Sequence, residues 1–224
     1  MHVTASPSSR TCCGGSGDTV HILIPCKNLD VGKSRLSECL DSRARREFCE
    51  QLLTRTLEQA AAVIAPARIL VVTSDLEAAA IACRCSVAHV PDPGDGLNAA
   101  LEDARATLLA KMAYESEILI LPIDLPFASS DAISKVLSCA GDIIIAPDES
   151  GTGTNVLLLR SPALRNFRFA YGPGSYAAHL AAARARGLTI ETFKDWRLAF
   201  DVDGPAQYAT WRSWQEQEHD AVSR

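Results

Sequence analysis

The chain has 224 residues, 47% hydrophobic, 22% charged and only 6% aromatic, which excludes a disordered, collagen-like or mucin-like polypeptide. Lys+Arg 22 against Asp+Glu 27 leaves a net charge of −5. The basic footprint of a nucleic-acid binder is therefore missing, and any anion bound here must be met by a local cluster of charge.

The elements follow in chain order. Residues 1–19 are Ser/Gly/Thr-rich with Cys12 and Cys13 adjacent, lack a signal peptide's apolar core, and read as a loose arm before one domain spanning 20–224. Val20–Ile24 is a short buried strand closed by Pro25. Asp41 caps a helix to about Ile64, with Phe48, Leu52, Leu57, Ala60 and Ile64 on one stripe. Ile69–Val72 is a strand, Asp75–Cys83 a helix and Val87–Val90 a strand. The turn Pro91–Gly96 leads into a helix over Asn98–Met112. Ile118–Leu121 (strand), Ser130–Cys139 (helix) and Ile143–Ala146 (strand) come next. After a Gly/Thr-rich loop the pattern predicts strand Asn155–Leu159, helix Ser175–Arg186, strands Thr189–Phe193 and Leu198–Val202, and a last helix from Pro205. Strands separated by helical stretches mean an α/β fold, a mainly parallel Rossmann-like sheet with helices on both faces. No run of about 18 uncharged apolar residues is present to span a membrane. The eight cysteines (12, 13, 26, 39, 49, 83, 85 and 139) have no paired metal spacing, and are expected to be small buried hydrophobes of a cytoplasmic protein.

In such a sheet, ligands bind beyond the carboxyl ends of the strands. Three segments at that rim carry chemistry. Lys27, Lys33 and Arg35 follow the first strand and present three cations to a polyphosphate. Gly32-Lys33-Ser34 is like the end of a phosphate-binding P-loop, but that motif needs glycine where this chain has Lys27. Asp124, held between Pro122 and Pro126, leaves the fourth strand stiffly. In Asp201-Val202-Asp203 the two carboxylates face one way on extended backbone, with Val202 anchoring the other side. Three converging carboxylates raise each other's pKa unless a cation joins them, and Mg²⁺ with its preference for hard oxygen ligands suits them. Two Gly-rich segments, Pro147–Asn155 and Tyr171–Tyr176, offer backbone N–H groups to an anion, with Ser175 at a helix start; Ser175 alone is equally an N-cap. Asn98 either reads a base edge or caps its helix.

These residues together resemble the guanylyltransferases of coenzyme F420 biosynthesis, relatives of the sugar- and cofactor-nucleotidyltransferases. The resemblance runs through Ile24-Pro25-Cys26-Lys27 with Lys33-Ser34-Arg35-Leu36, Leu97-Asn98 with Ala100-Leu101, and Pro122-Ile123-Asp124-Leu125-Pro126. It continues through Ala146-Pro147-Asp148 with Gly153-Thr154-Asn155, Gly172-Pro173-Gly174-Ser175 with His179, and Asp201-Val202-Asp203. It implies that Asp124, Asp201 and Asp203 hold Mg²⁺, that Thr154, Gly172 and Ser175 hold a phosphorylated three-carbon acid, and that Lys27, Lys33 and Asn98 lie around GTP. Lys27, Lys33, Arg35 and Asp124 are the catalytic candidates. The expected reaction joins GMP from GTP to phosphoenolpyruvate, 2-phospho-L-lactate or 3-phospho-D-glycerate and releases pyrophosphate. A cytidylyl- or molybdopterin-type nucleotidyltransferase and a non-catalytic GTP sensor are the alternatives. No nucleic acid or membrane is an expected partner, and a homodimer is the assembly such sheet edges often form. Cys26 and Ile123 depart from the residue types usual in the family, and the loop Glu149–Thr152 is particular to this chain.

Overall fold

A computed structural model describes residues 19–111 and 116–222, with side chains up to 217. Residues 1–18, the arm expected from composition, lie outside it, as do the cysteines at 12 and 13 and the expected helix end at Met112.

The elements are β1 (Val20–Pro25), α1 (Ser42–Ala61), β2 (Ile69–Val72), α2 (Leu76–Arg84), β3 (Ala88–Val90), α3 (Leu97–Leu109), β4 (Glu117–Ile120), α4 (Ser130–Ser138) and β5 (Ile143–Pro147). They continue with β6 (Thr154–Leu159), α5 (Ala163–Asn166), α6 (Ser175–Arg184), β7 (Ile190–Thr192), α7 (Trp196–Ala199) and α8 (Pro205–Val222). Asp41 caps α1 by accepting from Ala44 N–H, and Asp75 caps α2 by accepting from Glu77 and Ala78 N–H, as their chemistry at helix starts requires.

The sheet runs β3-β2-β1-β4-β6-β5-β7. Its pairings are parallel except at β6, which is antiparallel to both β4 and β5. The segment between β5 and β6 is too short for a crossover helix, so the chain turns back as a hairpin and wedges β6 between two strands of the opposite sense. Alternate residues of β1 serve opposite faces. Ile22 and Ile24 join Leu53 and Leu57 of α1 and Ile81 of α2, while Leu23 packs with Leu101 of α3 and Phe167. The period of two thus gives a sheet buried on both sides.

The expected strand Leu198–Val202 does not form. Asp195 accepts from Arg197 N–H and closes the single turn of α7, which takes up Leu198 and Ala199. Val202 then gives its N–H to the carbonyl of Asp124 (3.0 Å) rather than to a strand neighbour. Its side chain is fully buried beside Leu36, Phe48 and Trp211, so the anchoring expected of it holds without a strand.

The cysteines divide. Cys26 and Cys49 are buried, and burial pushes the Cys26 thiol up to about 12, with Cys49 and Asp75 adding to the shift. Cys39 and Cys83 are exposed, against expectation, because both sit at helix ends facing solvent. All the described cysteines are free thiols.

Candidate functional site

Beyond the C-terminal ends of β1, β2 and β4 lies a cleft of about 460 Å³. Lys27, Lys33, Arg35, Asp124 and Asp203 line it, and Leu97 and Ala100 of α3 form an apolar wall.

The loop after β1 is shaped by contacts made far along the chain. Asp75, already the cap of α2, also accepts from Leu29 N–H through Oδ2 (3.1 Å). One buried carboxylate therefore ties a helix start to the cation-bearing loop. Asp75→Ala should cost about 2–4 kcal/mol, a lost cap plus a buried N–H left without its partner. Denaturant melts would read this loss, and the Michaelis constant for nucleotide should rise with it. A stability change under ~0.5 kcal/mol would deny Asp75 that role.

Lys33 adopts a left-handed backbone (φ 51°), which costs a non-glycine residue roughly 1–2 kcal/mol. Its ammonium lies 3.0 Å from Asp124 Oδ2 and 3.0 Å from Asp203 Oδ1. Burial opposes the charge, but the two carboxylates outweigh it and hold the lysine above its ordinary range. Those two carboxylate oxygens, from segments 79 residues apart in sequence, therefore lie within about 6 Å of one another. Arg35 reaches Asp203 at 3.9 Å from an exposed position, a weak pair.

Asp201 is half-buried and raised to about 6, by desolvation first and then by Asp124 and Asp203; Lys33 and a hydrogen bond with Asn155 pull the other way. A carboxylate so raised is short of neighbouring positive charge. The donor set is all carboxylate oxygen, the chemistry that suits Mg²⁺. Lys33 is the cation these carboxylates have recruited. Among the described residues, no group of three or more carboxylate, imidazole or thiolate side chains stands ready to coordinate a metal. Asp124 and Asp203 meet around the Lys33 ammonium, and the charge of both is felt at Asp201.

The second half of the site lies beside Asp201. Asn155, next to Thr154 on β6, donates to the carbonyls of Leu198 and Ala199 at 2.9 and 3.0 Å and helps hold down the pKa of Asp201. Gly172 takes a backbone open only to glycine among common residues (φ 137°), and its carbonyl accepts from Ser175 N–H. Ser175 is buried in the first turn of α6, and it is not the cap: left-handed Gly174 holds that position with no side-chain bond.

Asn98 neither caps α3, whose N-cap is Gly96, nor lines the cleft. Its Nδ2 donates to the Tyr171 carbonyl (2.9 Å), and its Oδ1 accepts from Tyr171 N–H (2.8 Å). The amide meant for a base edge or a cap is instead engaged with the loop leading to Gly172. Tyr171 itself was not singled out by sequence reasoning. Its hydroxyl is buried without a partner among the described residues, and burial, then the charge of Asp124, raises its pKa. Asp148, at the end of β5, serves its own hairpin by accepting from Thr152 and Gly153 N–H, both at 2.8 Å.

The sequence profile of the guanylyl transferase CofC-like family matches residues 20–209. A phosphoenolpyruvate guanylyltransferase of Rubrobacter xylanophilus is 36% identical over 194 residues, covering 85% of this chain and 92% of its own. One from Nocardia farcinica is 37% identical over 170 residues, covering 73% and 74%. Among solved structures, a nucleotidyl transferase from Methanothermobacter superposes with a TM-score of 0.63 at 16% identity, covering 90% of this chain and all of that one. A 4-diphosphocytidyl-2C-methyl-D-erythritol synthase from Anaerococcus prevotii gives 0.60 at 10% identity, covering 89% and 99%. At such identities these two speak for the fold alone. The profile and the sequence relatives carry the assignment: the chain belongs to the guanylyl transferase CofC-like family.

Proposed function

We propose that this guanylyltransferase joins GMP from GTP to the phosphate of phosphoenolpyruvate, 2-phospho-L-lactate or 3-phospho-D-glycerate, with Mg²⁺, releasing pyrophosphate. The product, a three-carbon acid linked to guanosine through a diphosphate, serves coenzyme F420 biosynthesis. The observation that carries this reading is the meeting of Lys33, Asp124 and Asp203 in one cleft with Lys27 and Arg35 at its edge. The names of the relatives from Rubrobacter and Nocardia support guanine and put phosphoenolpyruvate first among the acids.

The chemistry needs no protein base. A phosphate monoester has its second pKa near 6, so at neutral pH its oxygen is already an anion able to attack the α-phosphorus of GTP. The obstacle is repulsion between anions, and positioning with charge neutralisation removes it. Asp124, Asp201 and Asp203 would hold the Mg²⁺, which would supply charge neutralisation to the reacting phosphates. Lys27, Lys33 and Arg35 take the charge that builds on the leaving pyrophosphate. For Lys33 this means exchanging its two carboxylates for phosphate oxygens. Thr154, Gly172 and Ser175 hold the acid at the start of α6, where the positive end of the helix dipole favours an anion although the Ser175 N–H is already given to the Gly172 carbonyl. Asn98 acts behind them by fixing Tyr171.

Each of the four nucleoside triphosphates, incubated with each acid and followed by mass analysis, tests the reading. The expected product forms from GTP and phosphoenolpyruvate, with equimolar pyrophosphate, and chelation of divalent cations abolishes it. A preference for CTP would overturn the assignment of the base. GTP bound without pyrophosphate release would mark a sensor.

A further inference from the structure

His179 lies on α6, fully buried, and the reaction as described makes no use of it. Both of its ring nitrogens are nevertheless occupied. Nε2 is 2.9 Å from Ala170 N, and Nδ1 is 3.0 Å from Thr154 Oγ1. The rings of Phe167 and Tyr171 lie against it, at centroid distances of 5.6 and 5.1 Å, which leaves the imidazole little room to turn.

These contacts fix where the proton is. A backbone N–H can only donate, so Nε2 must present its lone pair to Ala170. Burial lowers the imidazole to about 4, so it is neutral at physiological pH and carries its one proton on Nδ1. Nδ1–H therefore donates to Thr154 Oγ1. The opposite tautomer would set two donors face to face at 2.9 Å in a dry interior. Since Thr154 Oγ1 is accepting, its own proton is left to donate, and among the described residues no other group bonds to that hydroxyl.

We propose that His179 is a positioning residue for the acid half of the site: it makes the Thr154 hydroxyl a committed donor to an anionic oxygen of the phosphorylated acid, and it holds the Ala170–Gly172 backbone to the same point. The proposal rests on the reading that Thr154 touches the acid. It also accounts for the Asn98 clamp, since Ala170 and Tyr171 are then gripped from two helices, α6 and α3, immediately before Gly172. A hydroxyl fixed as a donor favours carboxylate or phosphate oxygen over an ammonium or an amide N–H, which is selection for an acid.

The test separates the Michaelis constant for phosphoenolpyruvate from that for GTP. His179→Leu should raise the first about tenfold or more and leave the second within about twofold. His179→Gln should recover most of the loss, because its amide has an acceptor and a donor about as far apart as the two ring nitrogens. Thr154→Val should reproduce the defect, and the double variant should be no worse than the more affected single one. If Thr154→Val impairs use of the acid and His179→Leu does not, the relay is wrong and the acid site stands. If Thr154→Val leaves use of the acid unchanged, the reading of Thr154 fails and the proposal falls with it. An equal rise in both Michaelis constants for His179→Leu marks a merely structural histidine and overturns the proposal. Should that variant not fold, a long-range nitrogen–proton spectrum of the wild-type protein decides the matter: a proton on Nδ1 supports the relay, and one on Nε2 overturns it.

Discussion

Asp124→Asn lowers pyrophosphate release by about 100- to 1,000-fold, the range set by removing one preorganised electrostatic group from a reacting centre. The amide keeps the volume and the hydrogen-bonding shape of the carboxylate, but not its charge. One of the two anchors of Lys33 is lost with that charge, and so is one of the three anions that a divalent cation would balance. The fold should survive, because what ties this loop to the Asp201–Asp203 segment is the Asp124 carbonyl accepting from Val202 N–H, and the substitution leaves the backbone alone. Cooperative melting within a few degrees of the parent, with turnover reduced as stated, is the expected pair of results. Turnover within tenfold of the parent in a folded variant would remove Asp124 from the reacting centre.

Lys33→Met gives two effects of opposite sign. Turnover falls by about 100-fold or more, since the cation proposed to meet the leaving group is gone. Divalent-cation binding to the nucleotide-free protein becomes tighter, because the ammonium now between Asp124 and Asp203 competes for their oxygens. Unit charges 4 Å apart at an effective dielectric near 20 interact by ~4 kcal/mol, and recovering a third of that amounts to about tenfold in affinity. Calorimetry or Mn²⁺ paramagnetic relaxation reads the affinity without any turnover. A parallel fall in metal affinity and turnover would mean that Lys33 assembles the carboxylates rather than competing for them.

What the sequence made legible was local. The short apolar runs of β1 and β2, the Asp41 and Asp75 caps and the buried middle residue of Asp201-Val202-Asp203 are each written within a few positions. What it hid was the identity of distant partners. The Asn98 amide looks the same in sequence whether it meets a base, a helix end or the Tyr171 backbone 73 positions away. Lys33 reads as a phosphate ligand, and only the fold reveals that it also bridges Asp124 and Asp203. Leu198–Val202 failed for a related reason. Its apolar content suits a strand, but the Asp195 cap commits Trp196–Ala199 to a helical turn and the Val202 N–H goes to the Asp124 carbonyl. His179 reads in sequence as part of the resemblance and as a surface or core residue, and the structure puts it in the core; a histidine four residues into an Ala-rich helix, behind a Gly-Pro-Gly-Ser turn, is hard to bury without two partners.

The reversed strand β6 has a bearing on how such a site can diversify. Its first residue, Thr154, stands opposite Pro147, the last residue of β5, so the beginning of one strand shares a rim with the ends of the others. In the proposed reaction the grip on the acceptor would then fall partly to a hairpin separate from the loop after β1. Insertions between positions 148 and 153 can redraw the acceptor pocket while the donor half keeps its shape. Evolution is left with one scaffold on which a common activating nucleotide can be matched to different small acids.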